Sequence, residues 1–154
     1  MMTLEALLSP RLSLCHLAGS SKKKLLLNIA QAIAEQYPQH DSDTTFNQLI
    51  ARERLGSTGI GEGVAIPHCR LPGCEQPIGV LCTIEPAIDF DAIDRQPVDL
   101  LFVLLVPEDS EQQHLDTLAE IAALFSNSQV RDKLRKAESS DELYALAIDS
   151  AAAA

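Results

Sequence analysis

The chain has 154 residues, 46% of them hydrophobic and 22% charged, which suits one packed domain and excludes a disordered segment or two ordinary domains. Its formal net charge of −10 argues against a nucleic-acid partner, because a phosphate backbone would be repelled everywhere except at a local basic patch. The longest apolar stretch, 98–106, contains Asp99 and is about half the length a membrane helix needs, so no direct membrane insertion is expected.

Residues 1–6 lack a basic stretch followed by a sustained apolar run, so no secretory leader is expected and a cytoplasmic location follows. Cys15, Cys69, Cys74 and Cys82 are then expected as free thiols. A metal site built from His68, Cys69 and Cys74 has no C-x-x-C pair and matches no structural zinc spacing.

Leu26, Ile29, Ala30, Ile33 and Tyr37 recur at helical spacing after Ser20 and Ser21, which can cap a first turn, so a helix is predicted over 21–36. Lys22, Lys23 and Lys24 fall in that turn and read as a solvated helix end. Asp43 offers an N-cap for a second helix with Phe46, Leu49 and Ile50 buried, carrying Arg52, Glu53 and Arg54 near its end and stopped by Gly56. The stretch 56–63 holds four glycines in eight residues and reads as an irregular loop suited to close backbone approach. It carries neither G-x-G-x-x-G nor a Walker lysine, which argues against a nucleotide site.

Strands are predicted over 64–66, delivering Pro67 and His68, over 78–84, and over 98–106. The last is apolar at nearly every position between Pro97 and Pro107, which suits a central strand covered on both faces. Leu115, Leu118, Ala119, Ala122 and Phe125 form a helical stripe, Val130 and Leu134 a shorter one, and 139–142 a capping box opening a final helix. The predicted fold class is α/β: a single domain over 4–148 with a mixed parallel/antiparallel sheet flanked by helices on both faces, and a frayed tail over 149–154.

Neutral imidazole is abundant at cytosolic pH and can accept a phosphoryl group without a strong base to activate it. His16 and His40 lie in polar or loop contexts and read as surface residues. His68 follows rigid Pro67 at a strand end beside the glycine-rich stretch, a place where functional side chains are often displayed, although a structural role fits the pattern too. His114 sits near a helix start, beside the apolar positions Leu118, Ile121 and Phe125, and can point inward as a partly buried helix-start histidine.

The sequence Gly-Ser-Thr-Gly-Ile-Gly-Glu-Gly-Val-Ala-Ile-Pro-His-Cys at 56–69 resembles the active-site signature of the phosphotransferase-system enzyme IIA domains of the fructose and mannitol class. Arg52-Glu53 before it, the stretches 89–94 and 96–102 after it, and Pro107 leading to His114-Leu115 resemble the nitrogen-regulatory branch of that family. The resemblance spans nearly the whole chain, about 4–148.

It implies a relay in which phosphate passes from phosphoenolpyruvate to a first enzyme, then to a nitrogen-type histidine phosphocarrier, then to His68, with Nε2 the expected acceptor atom. His114 matches the family's second active-site histidine and Arg52 an arginine near the pocket, while amides at Gly59, Gly61 and Gly63 could add donors to a phosphate. Glu62 matches a carboxylate position and is expected either to orient a partner or to be solvated. No metal or cofactor is implied. Cys69 stands where relatives often have a small residue, and an exposed thiol there could impair phosphorylation on oxidation. The branch implies a regulator whose phosphorylation state controls targets such as sensor kinases or potassium transport proteins. A sugar-specific IIA passing phosphate to a IIB component, and a binding module independent of phosphorylation, are the alternatives.

Overall fold

A strand apolar at nearly every position needs cover on both faces, and the computed structural model, which describes residues 3–109 and 112–153, supplies it. In chain order the elements are α1 (Leu4–Leu7), a single 3-10 turn (Pro10–Leu12), β1 (Ser13–Leu17), α2 (Lys22–Gln36), α3 (Ser42–Leu55), β2 (Gly59–Gly61) and β3 (Val64–Ala65). They continue with β4 (His68–Leu71), β5 (Ile78–Ile88), β6 (Val98–Pro107), α4 (Gln112–Phe125), α5 (Ser128–Arg135) and α6 (Ser140–Ala153).

The sheet has six strands in the order β1-β5-β6-β3-β2, with β4 also on β6. β5 and β6 run antiparallel; β1 is parallel to β5, and β3 and β4 are parallel to β6. The expected α/β class with a mixed sheet is therefore observed, and 98–106 lies at its centre. Side chains alternate along β6 as strand geometry requires. Leu101, Val103 and Leu105 join the core beneath α2 and α3 with Leu25, Ile29 and Leu49. Leu100, Phe102, Leu104 and Val106 face the other core with Ile121, Leu134 and Leu143.

β3 and β4 share one edge of β6 in succession: Val64 and Ala65 pair with Leu100 and Leu101, and His68 resumes opposite Leu104. Pro67, which has no amide hydrogen to donate, falls in the break, and its carbonyl accepts from the Leu104 amide at 2.9 Å. His68 thus opens a strand of its own instead of ending the predicted one.

Several boundaries differ from expectation. Asp41, in extended backbone, caps α3 by accepting from the Thr44 amide at 3.1 Å, so Asp43 lies inside the first turn. The glycine-rich stretch is not irregular: β2 and β3 form a hairpin whose turn places Glu62 at φ 59° and Gly63 at φ 77°. β1 was not anticipated and forms an edge strand. Leu115 does not continue the buried stripe of α4; it is 59% exposed. α6 runs through Ala153, into the 149–154 stretch expected to fray, because Ala151 packs on the core and the Ser150 hydroxyl donates to the Leu146 carbonyl. No described helix is long and apolar enough to cross a membrane.

Lys22 also departs from expectation, for it is not solvated like Lys23 and Lys24. Its Nζ lies 2.8 Å from Oε1 of Glu53, whose side chain is only 4% exposed, and 4.6 Å from the centre of the Phe90 ring. This pair ties the start of α2 to the end of α3. Removing one member of a buried pair strands the other charge, which costs about 3–5 kcal/mol. Lys22→Met should therefore lower the unfolding free energy by about that amount in urea denaturation at neutral pH, whereas Lys23→Met on the exposed neighbour should change it by less than about 0.5 kcal/mol.

Candidate functional site

The break between β3 and β4 creates a local hydrogen bond that decides the chemistry of His68. Its Nδ1 lies 2.8 Å from the carbonyl oxygen of Ile66. A carbonyl can only accept, so Nδ1 carries the proton and Nε2 is left unprotonated with its lone pair. The Arg52 guanidinium, on the last turn of α3, confirms this polarity by donating from Nε to Nε2 at 3.4 Å. Its Nη1 donates to the Gly56 carbonyl at 2.9 Å, so the residue that ends the helix also holds the arginine in place.

His114, on α4, approaches from the opposite layer with its ring centre 5.3 Å from that of His68 and the planes inclined at 63°. Its Nδ1 is buried and makes no hydrogen bond to a described residue. Around these rings opens a cleft of about 650 Å³ with Arg52 and Arg70 on its walls. Leu55 and Leu115, 84% and 59% exposed, form an apolar rim. A larger groove of about 760 Å³ between α1, α4, α5 and α6 contains neither histidine nor arginine among its described lining residues; His68, His114, Arg52 and Arg70 all gather at the smaller cleft.

Burial holds the His68 pKa below its ordinary value; the Arg52 charge adds to the depression, while the Ile66 hydrogen bond and the Glu53 carboxylate oppose it. His114 is also lowered, first by burial and then by His68 and Arg70. Both rings are consequently neutral near pH 7. A neutral acceptor nitrogen beside cationic arginines can attack an electrophile that carries negative charge, and the arginines can hold that charge.

His68, His114 and Arg52 thus converge. Glu62 and the glycines do not: none lines the cleft among the described residues. Glu62 is exposed at the hairpin turn, 3.8 Å from the Arg131 guanidinium, and its amide donates to Asp94. Gly59 serves close packing, since a Cβ there would sit 2.9 Å from the Ala92 Cα, and Gly61 and Gly63 have left-handed φ values of 99° and 77°. Cys69 is likewise not an exposed thiol. It alternates to the buried side of β4, and burial pushes its pKa up to about 12, so its oxidation is disfavoured. His40 is buried against Tyr37 instead of lying on the surface, while His16 lies 3.5 Å from the Glu85 carboxylate. Leu55 and Arg70 are not singled out by the sequence pattern, and Leu115 falls in its apolar stripe; the position of Arg70 two residues after His68, and of Leu115 next to His114, is the signal that could have marked those two.

A family model described as phosphoenolpyruvate-dependent sugar phosphotransferase system, EIIA 2, matches residues 6–149. The nitrogen regulatory protein of Pseudomonas aeruginosa is 49% identical over 149 residues, covering 97% of this chain and 97% of that one. That of Bradyrhizobium diazoefficiens is 40% identical over 154 residues, covering 99% and 100%. The crystal structure of nitrogen regulatory protein IIA-Ntr from Neisseria meningitidis aligns with a TM-score of 0.86 at 35% identity, covering 94% of this chain and 98% of that one.

The depressed histidine pKa values set the sign of a pH effect. Below the ordinary value of 6.5 the unfolded chain takes up protons that the folded rings resist, so their contribution to stability is present above 6.5 and is lost as pH falls through the lowered folded values. Urea midpoints should accordingly drop between about pH 7 and about pH 5, and less steeply for a His68→Gln, His114→Gln double variant. In an NMR titration His68 should show a midpoint below 6.5, and Arg52→Gln should move it upward by removing a lowering charge.

Proposed function

The chain belongs to the EIIA 2 family of the phosphoenolpyruvate-dependent sugar phosphotransferase system, and on that premise we propose that it is a cytoplasmic regulatory phosphoacceptor. Nε2 of His68 takes a phosphoryl group from a nitrogen-type histidine phosphocarrier, and the phosphorylated and free forms engage different targets. The observation that carries this reading is the 2.8 Å hydrogen bond from His68 Nδ1 to the Ile66 carbonyl, which leaves Nε2 as the nucleophile.

The transfer balances without an external base. The Nε2 lone pair forms a bond to phosphorus as the N–P bond of the carrier's phosphohistidine breaks, and that bond's electron pair returns to the carrier's imidazole. Nε2 has no proton to shed. The positive charge that develops on the His68 ring is stabilised by Nδ1–H donating to Ile66, and the phosphoryl oxygens are met by Arg52, Arg70 and a ring N–H of His114. The exposed Leu55 and Leu115 suit the apolar part of a transient partner contact.

Phosphorylation then places about two negative charges between those apolar residues, so a target that packs on the free cleft is repelled from the modified one. Near full-length similarity to nitrogen regulatory proteins supports regulation over sugar uptake. Sensor kinases and potassium transport proteins are the target classes implied by that branch.

Intact mass after incubation with phosphoenolpyruvate, the first enzyme and a nitrogen-type phosphocarrier tests the reading. An acid-labile phosphate adduct is expected on the unmodified chain and none on His68→Ala; Arg52→Ala and His114→Ala should each slow its formation by about 100-fold. The absence of any adduct on the unmodified chain would overturn the proposal, and a strong preference for a sugar-type carrier would assign the protein to uptake instead.

A further inference from the structure

We propose that Glu53 is a positioning residue for the acceptor nitrogen: clamped by Lys22, it anchors the hairpin whose Ile66 carbonyl selects the His68 tautomer. The inference rests on the phosphoacceptor reading of His68.

The connection is continuous. Glu53 Oε1 accepts from Lys22 Nζ at 2.8 Å and from the Thr58 amide at 3.2 Å. The Thr58 carbonyl accepts from the Ile66 amide at 3.0 Å, and the Ile66 carbonyl accepts from His68 Nδ1 at 2.8 Å. A second tie runs beside the first. Lys22 Nζ and the Ser57 hydroxyl both donate to the Phe90 carbonyl, at 3.4 and 2.6 Å, and the Gly59 amide donates to that same hydroxyl at 3.0 Å. The far end of the hairpin is held separately, with the Gly63 carbonyl accepting from the Asp99 and Leu100 amides. Glu53 therefore secures the β2 side of the hairpin, which β6 does not pair, while β6 holds Ala65 and the Pro67 carbonyl on either side of Ile66. Its neighbour Arg52 donates to Nε2, so a single turn of α3 governs both nitrogens of the ring.

Stability alone does not account for this arrangement. A buried ion pair can usually be exchanged for apolar residues of similar volume without loss. Here Glu53 Oε2 and Thr58 Oγ1 are in addition buried with no hydrogen bond to a described residue, which is a cost. What the pair supplies is a fixed acceptor for the Thr58 amide. The hydrogen bond made by one histidine nitrogen determines the state of the other, so an anchor for the Ile66 carbonyl is an anchor for the Nε2 lone pair.

The test compares the unmodified chain with Glu53→Gln and with the double variant Lys22→Met, Glu53→Leu, reading the His68 tautomer by nitrogen-15 NMR and phosphoryl uptake from the loaded carrier. The unmodified chain and Glu53→Gln, which keeps an oxygen toward Thr58, should hold the Nδ1–H tautomer. The double variant, with the pair replaced by apolar groups, should fold, show a tautomer mixture and accept phosphate at least about tenfold more slowly. A folded double variant with unaltered tautomer and rate would sink the proposal. Should that variant not fold, hydrogen exchange at Thr58 in the unmodified chain decides: strong protection supports the anchor, and exchange at the rate of a free amide refutes it. If the unmodified chain takes up no phosphate, the phosphoacceptor reading fails alone, because the tautomer comparison judges the anchor without any transfer.

Discussion

Neither face of β6 can be left in water, and that constraint organises the domain. Its alternating residues demand a helical layer on each side, which α2 and α3 provide on one and the later helices on the other. Its two edges demand partners as well. β5 fills one along its length, whereas the other is filled by β3 and β4 in succession, with a proline where the ladder is interrupted. The site lies at that interruption, where a carbonyl two residues before His68 is free to hold the imidazole. His114 meets it from α4, whose Ile121 and Phe125 pack in the core with Leu100 and Phe102 of β6.

Charge is arranged against the overall balance of the chain. With a net charge of −10 the protein would repel an anionic group, yet the cleft presents Arg52 and Arg70 beside two histidines kept neutral by burial. A local cationic pocket in an acidic molecule can hold an anionic group at short range, while the remaining surface is unattractive to polyanions. Neutrality of the rings matters equally, because a protonated Nε2 has no lone pair to offer.

The glycine-rich segment shows how one motif can be read correctly for its family and incorrectly for its physics. Among the described residues, its glycines do not line the cleft. Gly59 admits the Ala92 backbone, and Gly61 and Gly63 occupy left-handed backbone in the tight hairpin. The hairpin meets the candidate site at its end, where the Ile66 carbonyl accepts from His68 Nδ1. Glu62, at the turn, is exposed to solvent, 3.8 Å from the Arg131 guanidinium of α5.

The sequence by itself determined the helices with clear 3.6-residue periodicity, the central strand with its uninterrupted apolar run, and, through the segment 56–69, the family, with His68 as the candidate residue. Those are local signals: spacing, caps and a contiguous motif are all present within a few residues of one another. Tertiary structure alone decided that Lys22 turns inward to Glu53, that Cys69 is buried, that Leu115 is exposed, and that His114 meets His68 across 46 positions of chain. Each of these depends on which element lies opposite, and periodicity carries no information about the opposite face. The tautomer of His68 belongs to the same class, because it is chosen by whichever carbonyl the fold places 2.8 Å away.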